Sequence, residues 1–156
     1  GKSVKIVPGG ERRQDSVCHG LRELTNSTTV VIHDGARPCL TANLIKKGLE
    51  EVGGTGSAVA AIPVNDTIKK TTSGGIVTET LDRSQLWSIQ TPQIFFTDIL
   101  LAAHRQVRED VSDDATMVEL TGRKVKLFMG SPTNIKITHE GDLLVAKEFL
   151  KGSSLP

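Results

Sequence analysis

The sequence has 156 residues, 37% hydrophobic and 24% charged, with 19 Lys+Arg against 18 Asp+Glu for a net charge of +1. That length suits one domain, burying roughly 68–70% of its unfolded surface without a disulfide or metal staple, and the near-neutral charge argues against a protein that coats nucleic acid. Aromatic residues at 3% leave too few rings for a base-stacking platform, and no apolar run approaches the ~20 residues of a membrane span.

Val4–Val7 is a short β-branched run ending at Pro8-Gly9-Gly10, which predicts a strand and a sharp turn. Val17, Leu21 and Leu24 then recur at helical spacing, and Asn26-Ser27-Thr28 breaks that pattern. Val30-Val31-Ile32 reads as a buried strand, followed by the polar loop His33–Pro38. Thr41 is placed to cap a helix carrying Ile45, Leu49 and Val52 inward and closed by Gly53-Gly54. Ala58–Ile62 is the next buried strand, so the order β-α-β-α-β calls for an α/β fold with a mostly parallel sheet flanked by helices.

The alternation then lapses. Residues 67–71 and 76–80 flank Thr72-Ser73-Gly74-Gly75, the pattern of a β-hairpin with no apolar face, which should project or meet a partner. Trp87–Phe96 encloses Thr91-Pro92-Gln93, and Asp98 opens a helix bearing Ile99, Ala103 and Val107. Ser112-Asp113-Asp114 caps a helix through Leu120 that Gly122 ends, with acidic residues suited to the helix dipole. Strands are expected at Val125–Met129 and Ile135–Ile137, and Thr138 should cap a last helix reaching Leu150 before a tail at 152–154.

In open α/β sheets ligands sit beyond the C-terminal ends of parallel strands, which singles out two loops. Pro8–Ser16 offers glycines and helix-start donors to an oxyanion, or is an ordinary turn capped by Asp15 or Ser16. His33–Pro38 carries Asp34, able to hold a divalent metal or a ribose hydroxyl, and Arg37, able to fork onto phosphate; the alternative is an Asp34–Arg37 pair pinning the loop. His33 reads as a satisfied structural histidine. Arg83, Lys136, Thr67, Thr91 and Ser112 adjoin polar loops without a signature of their own. Cys18 and Cys39 lack zinc-ligand spacing and read as buried thiols of a reducing compartment. His139-Glu140 begins like a zinc-protease motif, but Leu143 stands where its second histidine belongs. Phosphate-friendly loops without a nucleophile–base pair suit phosphoryl or nucleotidyl transfer, where positioning and charge neutralisation carry catalysis.

The strings 8–17 (PGGERRQDSV), 31–38 (VIHDGARP), 66–69 (DTIK), 80–87 (TLDRSQLW), 90–93 (QTPQ), 112–115 (SDDA) and 133–138 (TNIKIT) occur in this order, covering the chain from about Val4 to Leu150. Together they resemble the 2-C-methyl-D-erythritol 4-phosphate cytidylyltransferases of the non-mevalonate isoprenoid pathway. The resemblance implies a Rossmann-like nucleotidyltransferase fold, with residues 64–85 as a dimerisation arm. It implies that CTP and methylerythritol phosphate react, with Mg²⁺ present, to give a cytidyl diphosphate alcohol and pyrophosphate. Carried over by position, Gly10, Glu11 and Ser16 would lie against cytosine and ribose. Asp34, with Gly35 beside it, would sit near the metal between the two substrates. Arg37, Thr91, Ser112 and Lys136 would hold the acceptor's phosphate and hydroxyls, and Lys136 and Asp34 would be the catalytic pair. Thr67 and Arg83 would serve the site of a second subunit in a homodimer, in the cytoplasm or a plastid stroma, without nucleic acid or membrane. Glu11, Gly35 and Ser112 stand where the family more often has Asp, Ala and Thr.

The family also opens with a strand and a Gly-rich loop whose Arg and Lys grip the CTP phosphates. Nothing in these 156 residues matches that segment, and the chain opens Gly1-Lys2-Ser3-Val4 with methionines only at 117 and 129. The expectation is therefore a partial domain, inactive by itself. A cytidylyltransferase for a pentitol phosphate and a non-catalytic dimerisation fragment are the alternative readings.

Overall fold

Helices cover both faces of one sheet because its apolar residues alternate between two cores. In this computed structural model, which describes residues 4–152, the sheet is built from β1 (Thr29–Ile32), β2 (Ser57–Pro63), β5 (Trp87–Phe96) and β6 (Lys126–Met129), in the spatial order β1-β5-β2-β6. β2 and β6 pair in parallel, while β5 runs antiparallel between β1 and β2. Thus β1, β2 and β6 point the same way, and β5 alone runs against them. Successive residues of a strand face opposite sides. Val59 and Phe95 therefore join one core with Leu21, Leu100, Met117 and Val118, whereas Ala58, Ala60 and Ile94 join another with Leu44, Val52 and Phe128. The first core is covered by α1 (Arg13–Arg22), α3 (Thr97–Gln106) and α4 (Asp114–Leu120), the second by α2 (Ala42–Glu51). α5 (Glu140–Gly152) buries Ala146, whose carbonyl accepts from the Cys39 thiol at 3.8 Å.

The expected face of α2 is corrected. Leu44, Gly48 and Val52 point inward, while Leu49 is 46% exposed and Ile45 half-buried. The cause is Gly48, where the helix backbone lies so close to the sheet that a Cβ would strike Ile94 and come within 2.7 Å of Phe128. Thr41 does cap the helix, its hydroxyl accepting from Leu44 N–H at 3.2 Å.

Residues 4–7 form no strand; Val4 and Ile6 are 86% and 97% exposed, and no neighbouring strand takes their backbone groups among the described residues. Residues 135–137 also form no strand; one bond, Ile137 N–H to Ala36 C=O at 2.8 Å, holds that extended segment. The cap of α5 works in reverse from expectation. The Asp142 carboxylate reaches back to accept from the N–H groups of Thr138 and His139 and from the Thr138 hydroxyl. Val107 falls just past α3, and Cys18 is only half-buried. β3 (Lys69–Thr71) and β4 (Val77–Thr80) form the expected hairpin as a separate two-stranded sheet, exposed along its whole length. Among the described residues no helix is long and apolar enough to cross a membrane.

Candidate active site

Beyond the C-terminal ends of β1 and β6 lies a cavity of about 280 Å³, lined by Asp34, Arg37, Thr91, Ser112 and Lys136 among others. These five expected residues come from four separate stretches of chain. The register Ile32↔Gln93 brings the end of β1 beside Thr91. There the Asp34 N–H donates to the Thr91 hydroxyl oxygen at 3.0 Å. At the other side, Gly130 N–H closes β6 onto Ala61 C=O at 2.8 Å and launches the loop that carries Lys136. Gln90 clamps that loop through both the C=O and N–H of Ser131. Asn134, fully buried, donates to Thr91 C=O at 2.7 Å.

Asp34 is the electrostatic centre. Its Oδ2 accepts from Lys136 Nζ at 3.0 Å, and its Oδ1 from Arg13 Nε and Nη2, each at 3.4 Å. Burial opposes its charge, but the Lys136 ammonium and the Arg13 guanidinium outweigh that cost and hold the carboxyl below its usual range. Arg13 in turn donates through Nη1 to Asp114 Oδ2 at 2.7 Å. Burial works against this guanidinium too, and the two carboxylates more than compensate, raising its affinity for its proton.

Arg37 does not pair with Asp34. Its Nη1 donates to the Asn134 carbonyl at 2.8 Å, and its Nε is buried without a partner among the described residues. Burial lowers its pKa, with only the Coulomb field of Asp34 opposing. A half-buried cation short of hydrogen-bond acceptors is prepared for an anionic ligand. His33 is satisfied on both ring nitrogens. Its Nε2 lies 2.9 Å from Arg37 C=O, which only accepts, so Nε2 carries the proton; Nδ1 then takes the Thr91 hydroxyl proton at 3.0 Å. The histidine thus orients Thr91 and the loop.

Ser112 lies at the rim, bonded to Thr116 at 3.2 Å. Gln93 ties β5 to the start of α4 by donating to Asp113 Oδ2 at 2.7 Å and accepting from Ala115 N–H at 3.1 Å. The sequence marks Asp113 and Asp114 only as a helix cap and gives Arg13, Gln90, Gln93 and Asn134 no role in a site. Arg12-Arg13 is visible in the first loop's string. Which arginine turns inward is decided only by packing: Arg12 faces outward to Asp15 and Asp110.

The other expected residues stand outside this cavity. Gly10, Glu11 and Ser16 form a turn closed on itself, the Gly10 N–H donating to Ser16 Oγ at 2.9 Å and the Arg12 N–H to Asp15 at 3.2 Å. A Cβ at Gly10 would collide with the Asp15 side chain, so the turn needs glycine there. Gly35 is exposed in the bend after β1. Thr67 is exposed, and Arg83 donates to Asn65 C=O at 2.6 Å beside the hairpin. No group of three His, Cys, Asp or Glu side chains that can hold a metal occurs among the described residues. Of the two carboxylates lining the cavity, Asp113 is taken up by Gln93 and Thr116 and Asp34 stands among cations, a donor set that fits only a Mg²⁺ that brings phosphate ligands with it.

The family model for 2-C-methyl-D-erythritol 4-phosphate cytidylyltransferase matches residues 1–152. The enzymes of that name from Pelotomaculum thermopropionicum and Dehalococcoides mccartyi are each 49% identical over 96% of this chain, which spans 65% and 66% of their lengths, just under two thirds. The crystal structure of the Thermus thermophilus enzyme superposes with a TM-score of 0.83 at 36% identity, covering 92% of this chain and 71% of that one. The Anaerococcus prevotii 4-diphosphocytidyl-2C-methyl-D-erythritol synthase gives 0.84 at 30% identity, covering 92% and 68%.

Proposed function

This chain belongs to the 2-C-methyl-D-erythritol 4-phosphate cytidylyltransferase family, and on that premise we propose that its cavity serves cytidylyl transfer from CTP to methylerythritol phosphate. One observation carries the reading: Asp34, Arg37, Thr91, Ser112 and Lys136 converge on a single cavity with three lining cations, Arg13, Arg37 and Lys136. An oxygen of the acceptor phosphate forms a bond to the α-phosphorus of CTP. The bond from that phosphorus to the bridging oxygen breaks, and pyrophosphate leaves with the electron pair.

Lys136 and Arg37 hold the acceptor phosphate. Arg37 is ready for it, whereas Lys136 exchanges its bond to Asp34 for one to phosphate. Thr91, whose proton is committed to His33, offers a lone pair to a substrate hydroxyl, and Ser112 meets the acceptor from the rim. Gly10, Glu11, Ser16 and Gly35 contact the cytidine. Asp34 would hold the Mg²⁺ that CTP carries, and that ion would supply charge neutralisation on the phosphate oxygens. The exposed β3–β4 hairpin crosses to a second subunit, delivering Thr67 and Arg83 to its site, which accounts for an arm that buries nothing of its own.

Pyrophosphate release by the intact enzyme tests the proposal. Lys136→Ala is expected to lower kcat/KM by about 10²-fold or more in a variant that remains folded. Wild-type activity in that variant would refute it.

A further inference from the structure

We propose that Arg13 and Asp114 form a positioning clamp for Asp34: buried Asp114 anchors one edge of the Arg13 guanidinium so that its other edge stays against Asp34 when Lys136 turns to phosphate. The functional consequence rests on the cytidylyl-transfer reading; the clamp itself rests on geometry.

The Asp114 side chain is 1% exposed, and its Oδ2 takes Arg13 Nη1 at 2.7 Å. Among the described residues its Oδ1 has no hydrogen-bond partner; His104 Nε2 on α3 lies 3.7 Å away and also lacks one. Burying a carboxylate is costly unless it is paired and hydrogen-bonded, and such pairs seldom outdo apolar packing. A half-satisfied buried charge is therefore poorly explained as a stabiliser and well explained as a fixture that orients its partner. With Nη1 fixed, the planar fork presents Nε and Nη2 together to Asp34 Oδ1.

Lys136 holds the other oxygen of Asp34, is 46% exposed, and has no second anchor among the described residues. Of the two cations on Asp34 it is the one free to leave. Arg13, 33% exposed and tied to the interior, is the one that remains. Asp34 then keeps its charge and its orientation at the moment the phosphate arrives. The charged and titratable groups facing this assembly are Arg13 from α1, Asp34, Arg37 and Lys136 from the loops, and His104 from α3, Arg37 acting on Asp34 through its Coulomb field without a side-chain hydrogen bond; Asp113 is turned away to Gln93 and Thr116.

The test uses the intact enzyme and two readouts, steady-state kinetics and the nitrogen-15 NMR signals of the Arg13 guanidinium, whose two Nη groups give separate signals only while the fork is held from rotating. Asp114→Asn keeps the shape and removes the charge, and is expected to lower kcat about tenfold or more while KM changes less than about threefold. The separate Arg13 Nη signals should merge into one. Asp114→Glu keeps the charge and reaches into the gap toward His104, so it should hold kcat within about threefold of wild type and keep the signals separate. Arg13→Lys should repeat the Asp114→Asn loss in kcat, and the double variant should be no worse than the worse single one. If Asp114→Asn does not fold, the wild-type Arg13 signals and the Arg13→Lys kinetics carry the test. A folded Asp114→Asn variant with unchanged kcat or with Arg13 signals still separate, or losses that add in the double variant, overturns the clamp. If the wild-type enzyme does not turn over CTP and methylerythritol phosphate, the functional reading fails while the Arg13 signals still decide the clamp.

Discussion

The cavity wall and the β3–β4 hairpin are built on opposite plans. Hydrogen bonds in the wall join residues far apart in sequence: Asp34 to Thr91, Arg37 to Asn134, and Lys136 to Asp34, the last pair 102 positions apart. Side-chain bonds in the hairpin, Lys69 to Thr80 and Thr78 to Lys70, span 11 and 8 positions, and every residue of both strands is exposed. A turn and two short strands need only local chemistry. The wall needs the sheet order, since its donors meet only after β5 has inserted between β1 and β2.

The largest expected effect tests whether the two regions cooperate across subunits. Arg83→Ala and Lys136→Ala enzymes should each lose about 10²-fold in activity, and unfolding and refolding them together should restore about a quarter of wild-type sites. Absence of recovery would leave the hairpin without its proposed partner site.

Next in size is damage to the packing beneath the wall. Gly48→Ala forces a methyl group into Ile94 and Phe128, and chemical denaturation should show a loss of about 1–3 kcal/mol. The hairpin, which shares none of that packing, should keep its own backbone signals.

A smaller effect concerns acid. Burial raises the cost of the Asp34 charge, but Lys136 and Arg13 prevail, so its carboxyl is more acidic folded than unfolded. Its contribution to stability is therefore complete above the unfolded value of about 3.9 and disappears as pH falls through the lower folded value. Melting curves on acidification should show this loss, and Asp34→Asn should flatten that part of the profile. The smallest effect belongs to the hairpin: Val77→Ser, at a position 54% exposed, should change the melting free energy of a single subunit by less than about 0.5 kcal/mol.

Much of the architecture was legible because it rests on short-range rules. The Thr41 cap, the apolar run at Ala58–Ile62 and the Gly-rich hairpin turn each declare themselves within a few residues. Val4–Val7 and Ile135–Ile137 carried equally good strand propensity and formed none, because a strand exists only where another backbone accepts its hydrogen bonds. Leu49 fitted the helical spacing and still faces outward, because Gly48 set which side of α2 meets the sheet.

From the sequence alone came the α/β class, the projecting arm and a set of polar residues in recurring strings, since chain-local pattern and residue chemistry suffice for those. Tertiary structure decided that Arg13 rather than Arg12 turns inward, that Asp34 pairs with Lys136 and Arg13 rather than Arg37, and that Asp114 lies buried behind them. Electrostatic partnership depends on distance and burial. Those quantities arise only when segments a hundred residues apart are brought to one sheet edge.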